Sequence, residues 1–269
     1  MKTRIISGLV LLGLLISTLI IGGWYLYFFC LAVSMIGLYE FYKAFEMEGS
    51  MPAWIGYAST LALYICVTLK LSHTIELFIL TATLIVLLLA YVLMYPRLHA
   101  SNIMAALFGV IYVSFMISFV YRLRILPGGG ATVWLIFLGS WVNDTCAYFT
   151  GYFLGKRKMA PELSPKKTVE GAIGGIAGST LVGLIYGIIA TAAGMDLNVN
   201  IIAMFTLTGL IGAFGGIIGD LAASAIKRNR KIKDFGSLIP GHGGILDRFD
   251  SVILTAPIVF WIVYFFGIR

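Results

Sequence analysis

Between Ser224 and Asp250 the chain gathers six Lys/Arg, three Asp and a His-Gly-Gly turn, while the segments on either side are almost wholly apolar. Carboxylates, cations and pliable backbone in one place are the parts of a site for phosphate chemistry. Lys and Arg meet phosphate oxygens as a point charge and as a fork, and a hard divalent cation prefers carboxylate and phosphate oxygens. Asp220, Ser224, Lys227 and Arg228 stand at i, i+4, i+7 and i+8, on one face of a helix. A carboxylate low on that face, with a hydroxyl and two cations above it, reads as a ladder for a metal and a phosphate.

Asp247 and Asp250 are i, i+3 at the start of a following helix, directly after Pro240-Gly241-His242-Gly243-Gly244. Capping needs one acid at such a position, and here there are two with Arg248 between them. A glycine turn feeding a helix N-terminus also lets backbone N–H groups approach an anion. Asp144 lies inside another apolar run, where an ionised carboxylate costs about 2.5–3.5 kcal/mol unless it faces a cavity, a cation or a basic partner. A second basic loop, 154–170, carries Lys156-Arg157-Lys158 and Ser164-Pro165-Lys166-Lys167-Thr168. It lacks Gly-x-x-x-x-Gly-Lys-Ser/Thr, which excludes a P-loop. His73 and His99 stand alone near helix ends and read as interfacial. Cys30, Cys66 and Cys146 have no paired or metal-type spacing, so neither disulfides nor a thiolate site is expected.

The elements that hold these groups are set by lipid. Of the 269 residues 60% are hydrophobic and 12% charged, and the mean hydropathy is +0.98, far beyond a soluble domain. The expected fold is an all-α polytopic membrane protein. At about 20 apolar residues per crossing, nine spans are expected, near 5–22, 24–43, 53–71, 75–95, 103–121, 131–153, 171–193, 199–226 and 250–267. The first reads as a retained helix, since no small-x-small cleavage site follows it. The spans group as 1–74, 75–153 and a catalytic part, 154–269. With the N-terminus inside, 15 of the 19 basic residues fall on the inner side, so the expected topology is N-in, C-out with a cytoplasmic site. Arg122 and Arg124 are the awkward pair on the outer side. Small-residue pairs such as Gly171/Gly175, Gly212/Gly216 and Gly215/Gly219 imply close helix packing.

The segment from Ser224 to Asp250 resembles the signature of the phosphatidate cytidylyltransferases, also called CDP-diacylglycerol synthases. The pattern is filled by Ser224, Ile226, Lys227-Arg228, Lys233-Asp234, Gly236, Ile239, Pro240, His242-Gly243-Gly244, Asp247-Arg248, Phe249 and Asp250. Ser164-Pro165-Lys166-Lys167-Thr168 and Asp144 are similar to the family too, so the likeness covers about 140–252, and the N-terminal half reads only as generic helices. The resemblance implies that CTP and phosphatidate give CDP-diacylglycerol and pyrophosphate. It implies Mg²⁺ on Asp220 and Asp247, with a monovalent cation such as K⁺ beside it, an inner (plasma) membrane location and a homodimer among membrane lipids; it calls for no nucleic acid.

On that basis Asp220, Asp247, Lys227, Arg228 and His242 are the expected catalytic set. Lys166, Lys167, Ser224, Lys233, Gly243, Gly244 and Arg248 are expected to bind substrate, and Asp144 and Asp250 join Asp220 and Asp247 as metal candidates. A CTP-dependent polyprenol kinase would release CDP instead of pyrophosphate. A CDP-alcohol phosphotransferase would need Asp-Gly-x-x-Ala-Arg, which does not occur. An ion-coupled transporter would place charge pairs at the midplane, whereas this chain crowds its charge toward one face.

Overall fold

The computed structural model describes residues 2–69, 71–239, 241 and 243–268, with side chains from Ser7 onward. Helices dominate: α1 (Lys2–Ile21), α2 (Gly23–Ala44), α3 (Met51–Thr68), α4 (His73–Leu93), α5 (Ala100–Gly109), α6 (Met116–Ile125), α7 (Gly129–Thr132), α8 (Trp134–Phe137), α9 (Asn143–Leu154), α10 (Val169–Ala192), α11 (Ile201–Asn229) and α12 (Leu246–Phe265). Seven helical stretches among the described residues are long and apolar enough to cross a membrane, α5 to α6 counting as one, with a shorter apolar helix over Ser7–Ile21. The protein is therefore an integral, polytopic membrane protein.

The expected sixth span is broken. A π-helical segment, Leu138–Val142, separates α8 from α9, and a second, Val110–Phe115, joins α5 to α6. Such widened turns tend to sit at functional sites, and the first of them delivers Asn143 and Asp144. The loop after α9 forms a small antiparallel hairpin, β1 (Lys158–Ala160) with β2 (Ser164–Thr168), which the all-helical expectation did not contain. Glu170 ties the hairpin's base by accepting from the N–H groups of Lys156, at 3.0 Å, and Arg157. Thr168 caps α10 through Gly171 N at 3.1 Å.

Helix packing explains the glycines. Gly212 and Gly216 of α11 press against Gly139 of the π-helical segment, and Gly219 lies against the backbone of Asp250 and Ser251. Without a Cβ these helices approach closely enough for backbone contact, as small residues allow in membranes. The result reaches the chemistry: the approach at Gly219 draws Asp220 and Asp250 toward one another.

The two awkward arginines are internal fasteners. Arg122 is 7% exposed and donates to Glu76 Oε1 at 2.7 Å and to Ser118 Oγ at 3.0 Å. Arg124 donates from Nε to Leu19 O at 3.1 Å, satisfying a carbonyl at the end of α1. The three cysteines are free thiols.

Candidate active site

The Asp220 carboxylate is bound from two sides. Lys167, on β2, forms an ion pair with Oδ2 at 2.5 Å, and Ser224 Oγ donates to Oδ1 at 3.3 Å. The helical ladder is thus real as far as Ser224 and then divides. Lys227 turns inward to Asp247, whereas Arg228 is exposed and donates to Ile232 O at 3.4 Å. A step of about 100° per residue separates adjacent positions, so only one of the two cations can point at the core.

Asp247 is almost completely engaged. Its Oδ1 accepts from Lys227 Nζ at 2.8 Å, and its Oδ2 accepts from Phe235 N at 2.8 Å and Gly244 N at 3.0 Å. The ammonium of Lys227 also lies 5.4 Å from the centroid of the Phe235 ring. The glycine turn is closed by Ile239 N donating to Gly243 O at 2.9 Å, with Gly243 left-handed at φ 85°. The N–H of Gly244, expected to meet an anion, is committed to Asp247 instead. Pro240 and His242 lie outside the described residues, so the role expected of His242 is not placed.

Asp144 and Asp250 join Asp220 in a mutually repelling group of carboxylates, with Lys167 facing Asp144 and Lys227 facing Asp250. Asp250 Oδ1 accepts from Ser251 N at 2.8 Å. Asp220 and Asp247, expected to act as a pair, each carry a separate lysine.

Three cavities surround these groups. One, about 550 Å³, is lined by Asn143, Asp144, Tyr148, Lys166, Lys167 and Asp220 among others. It is bounded on one side by Tyr148 and Tyr152, which are exposed on the apolar surface. A second, about 370 Å³, is bounded by Lys233, Asp234, Ser237 and Arg248. A third, about 300 Å³, lies under α1 and holds Asp144, Asp247, Arg248 and Asp250. Asp144 lines the first and third, and Arg248 the second and third. The third cavity therefore lies between the other two, meeting the polar one beside Lys233 at Arg248 and the more apolar one beside Tyr148 at Asp144.

Sequence reasoning missed three residues. Glu40 of α2, 4% exposed, accepts from Ile245 N at 3.1 Å and Leu246 N at 2.8 Å, capping α12. Tyr112, on the second π-helical segment, has a buried hydroxyl with no hydrogen-bond partner among the described residues. It feels the charges of Asp220 and Asp250. Asn143 is fully buried, with neither amide atom partnered among the described residues. A polar residue in an apolar run is a signal for Asn143 and Glu40; one more tyrosine among 14 carries none.

A polytopic membrane protein with a cationic and acidic centre at one end of its helices is the class that fold and site define. The chain belongs to the cytidylyltransferase family, whose pattern it matches over residues 2–266. It is similar to the phosphatidate cytidylyltransferase of Synechocystis sp., at 32% identity over 97% of this chain and 95% of that protein. It is similar to the phosphatidate cytidylyltransferase of Staphylococcus haemolyticus, at 34% over 96% and 97%. Likeness to the Bacillus subtilis protein of the same name is 38%, over 59% of this chain and 57% of that one.

Proposed function

We infer that this chain is a phosphatidate cytidylyltransferase, converting CTP and phosphatidate to CDP-diacylglycerol and pyrophosphate. Full-length similarity to proteins of that name supports the reaction. The single structural observation that carries it furthest is the row of three adjoining cavities, in which the middle one shares Arg248 with the polar cavity beside Lys233 and Asp144 with the more apolar one beside Tyr148. A water-soluble triphosphate and a leaflet-held phosphate can meet only in such a place.

An oxygen of the phosphatidate phosphate attacks the α-phosphorus of CTP in line. The new P–O bond forms as the bond from the α-phosphorus to the bridging oxygen breaks, and pyrophosphate leaves with that electron pair. The attacking phosphate is already anionic, so no covalent enzyme intermediate is required. Positioning and charge neutralisation carry the rate. Lys166 and Lys167 approach from the hairpin, Lys227 and Arg248 from the helix ends, and Lys233 from the polar cavity. Arg228 adds a cationic contact at the outer edge, and Gly243 gives the turn its close approach; His242 is read as a donor to a phosphate.

The donor set suits Mg²⁺. Its atoms are carboxylate oxygens, and the lysine ammoniums on Asp220 and Asp247 stand where a cation is wanted. Among the described residues no group of three or more His, Cys, Asp or Glu is placed as a ready cage, and Mg²⁺ needs none, since it keeps waters and substrate phosphates as ligands. Asp220 would hold it with Asp144 and Asp250 alongside, and Asp247 would join through the oxygen shared with Lys227; a monovalent cation such as K⁺ would neutralise the remaining acid. Bound there, the ion supplies charge neutralisation to the phosphates. Nine spans, N-in and C-out, with the site facing the cytoplasm across the inner (plasma) membrane, and a homodimer complete the reading.

The test is purified protein with labelled CTP and phosphatidate vesicles, with and without Mg²⁺. Lipid-soluble label together with pyrophosphate is the expected product pair. Release of CDP would replace this reading with a kinase.

A further inference from the structure

The last turn of α2 is built as a platform for the loop between α11 and α12. Glu40 accepts two backbone N–H groups at the start of α12. Beside it, the Phe41 ring lies 6.5 Å from that of Phe235. Arg230 Nε donates to Ala44 O at 2.8 Å, and its guanidinium sits 4.7 Å from the Phe45 ring centroid. Four positions at the end of α2, 40, 41, 44 and 45, grip a segment about 200 residues away, and Glu40 is the only charged member of the four.

Gly236 and Gly244 report the same contact from the other side. A Cβ built on either would run into the Glu40 side chain, which supplies all three of its nearest atoms. Neither glycine has a left-handed backbone, so conformation does not demand them. The room that Glu40 occupies does.

We propose that Glu40 is a positioning residue for the cytidylyl transfer: by holding Ile245 N and Leu246 N it sets the first turn of α12, and with it the direction of Asp247. The chain of contact is short. Leu246 is next to Asp247, Gly244 N donates to Asp247 itself, and Gly244 packs on Glu40. A carboxylate here also places negative charge at a helix N-terminus, where it is favourable. Glu40 touches no reacting atom; it acts through Asp247 and the glycine turn.

The proposal rests on the reaction inferred above, so its test includes readouts that do not depend on that reaction. In Glu40→Ala, hydrogen exchange of the Ile245 and Leu246 amides should accelerate by more than tenfold, while the amides of α10 keep their protection. Turnover should fall about 10- to 100-fold through kcat, the range found when an outer-shell support is removed, with KM for CTP changed less. Glu40→Gln keeps one acceptor oxygen and turns an NH₂ toward the other N–H, so it should fall between wild type and Ala. Gly236→Ala should impair the wild-type protein, yet add little to Glu40→Ala, because the space it needs has been vacated; contacting residues couple in this way.

Unchanged exchange at 245–246, or equal and additive losses from Gly236→Ala in both backgrounds, would overturn the assignment. Should Glu40→Ala fail to insert, the ordering of Glu40→Gln between wild type and Gly236→Ala in amide exchange decides it. Absence of CDP-diacylglycerol from the wild-type assay would dispose of the reaction while leaving the exchange and coupling results to judge Glu40.

Discussion

Lys227 Nζ donates to Asp247 Oδ1 at 2.8 Å, bridging the last turns of α11 and the first turn of α12. The pair is buried, with the two side chains 11% and 2% exposed. Removing one partner of a buried pair strands the other charge, at about 3–5 kcal/mol. Asp247→Ala is therefore expected to lower stability by that order as well as abolish turnover. Thermal unfolding in detergent, followed beside activity, checks both.

Asp220 behaves differently under the same change. Its pair with Lys167 is partly open, at 26% and 23% exposure, and such pairs contribute no more than about 1 kcal/mol. Asp220→Asn should keep the protein inserted with nearly unchanged melting, yet reduce CDP-diacylglycerol formation by more than about 100-fold. Near-wild-type product formation by this variant would remove Asp220 from the metal set.

The Arg122–Glu76 pair lies apart from the chemistry and should affect folding alone. Glu76→Gln or Arg122→Met each leaves one buried charge and is expected to cost about 3–5 kcal/mol. The double substitution should be less harmful than the sum of the singles, with kcat of the surviving folded fraction unchanged. A double-mutant cycle by thermal melting measures the coupling.

Tyr112 offers a clean substitution. Tyr112→Phe removes a buried hydroxyl that has no partner among the described residues, so stability should hold or rise by up to about 1 kcal/mol. Reduced turnover in a protein of undiminished melting temperature would mark the hydroxyl as a contact to bound substrate. Equal turnover would assign it to packing against Phe108 and Phe41.

Much of the fold was legible in the chain. Seven of the nine expected spans have a helical stretch long and apolar enough to cross a membrane among the described residues, because an apolar run of about 20 residues in lipid has no other way to satisfy its backbone. The broken helix before Asn143 and the hairpin at 158–168 were not legible. Hydropathy averages over a window and cannot register a widened turn, and a three-residue strand has too few positions for a period. In the site, the contact of Ser224 with Asp220 followed from helical spacing, whereas Lys227 turned to Asp247 and Arg228, one step further round, to solvent.

Residue types and spacing alone pointed to a membrane protein with a site for phosphate chemistry expected at 220–250, and the resemblance of that segment pointed to the family. Only the tertiary structure decided how the carboxylates are shared out. Asp247 goes to Lys227 and two backbone amides, Asp220 goes to Lys167 and Ser224, and Glu40 crosses from the N-terminal half to cap α12. The physical reason is distance along the chain. Contacts separated by 20 residues for Lys227 and Asp247, or by 205 for Glu40 and Ile245, depend on the rotation and closeness of packed helices. Local periodicity does not carry that information; the glycine contacts that let α11 approach α12 and the π-helical segment do.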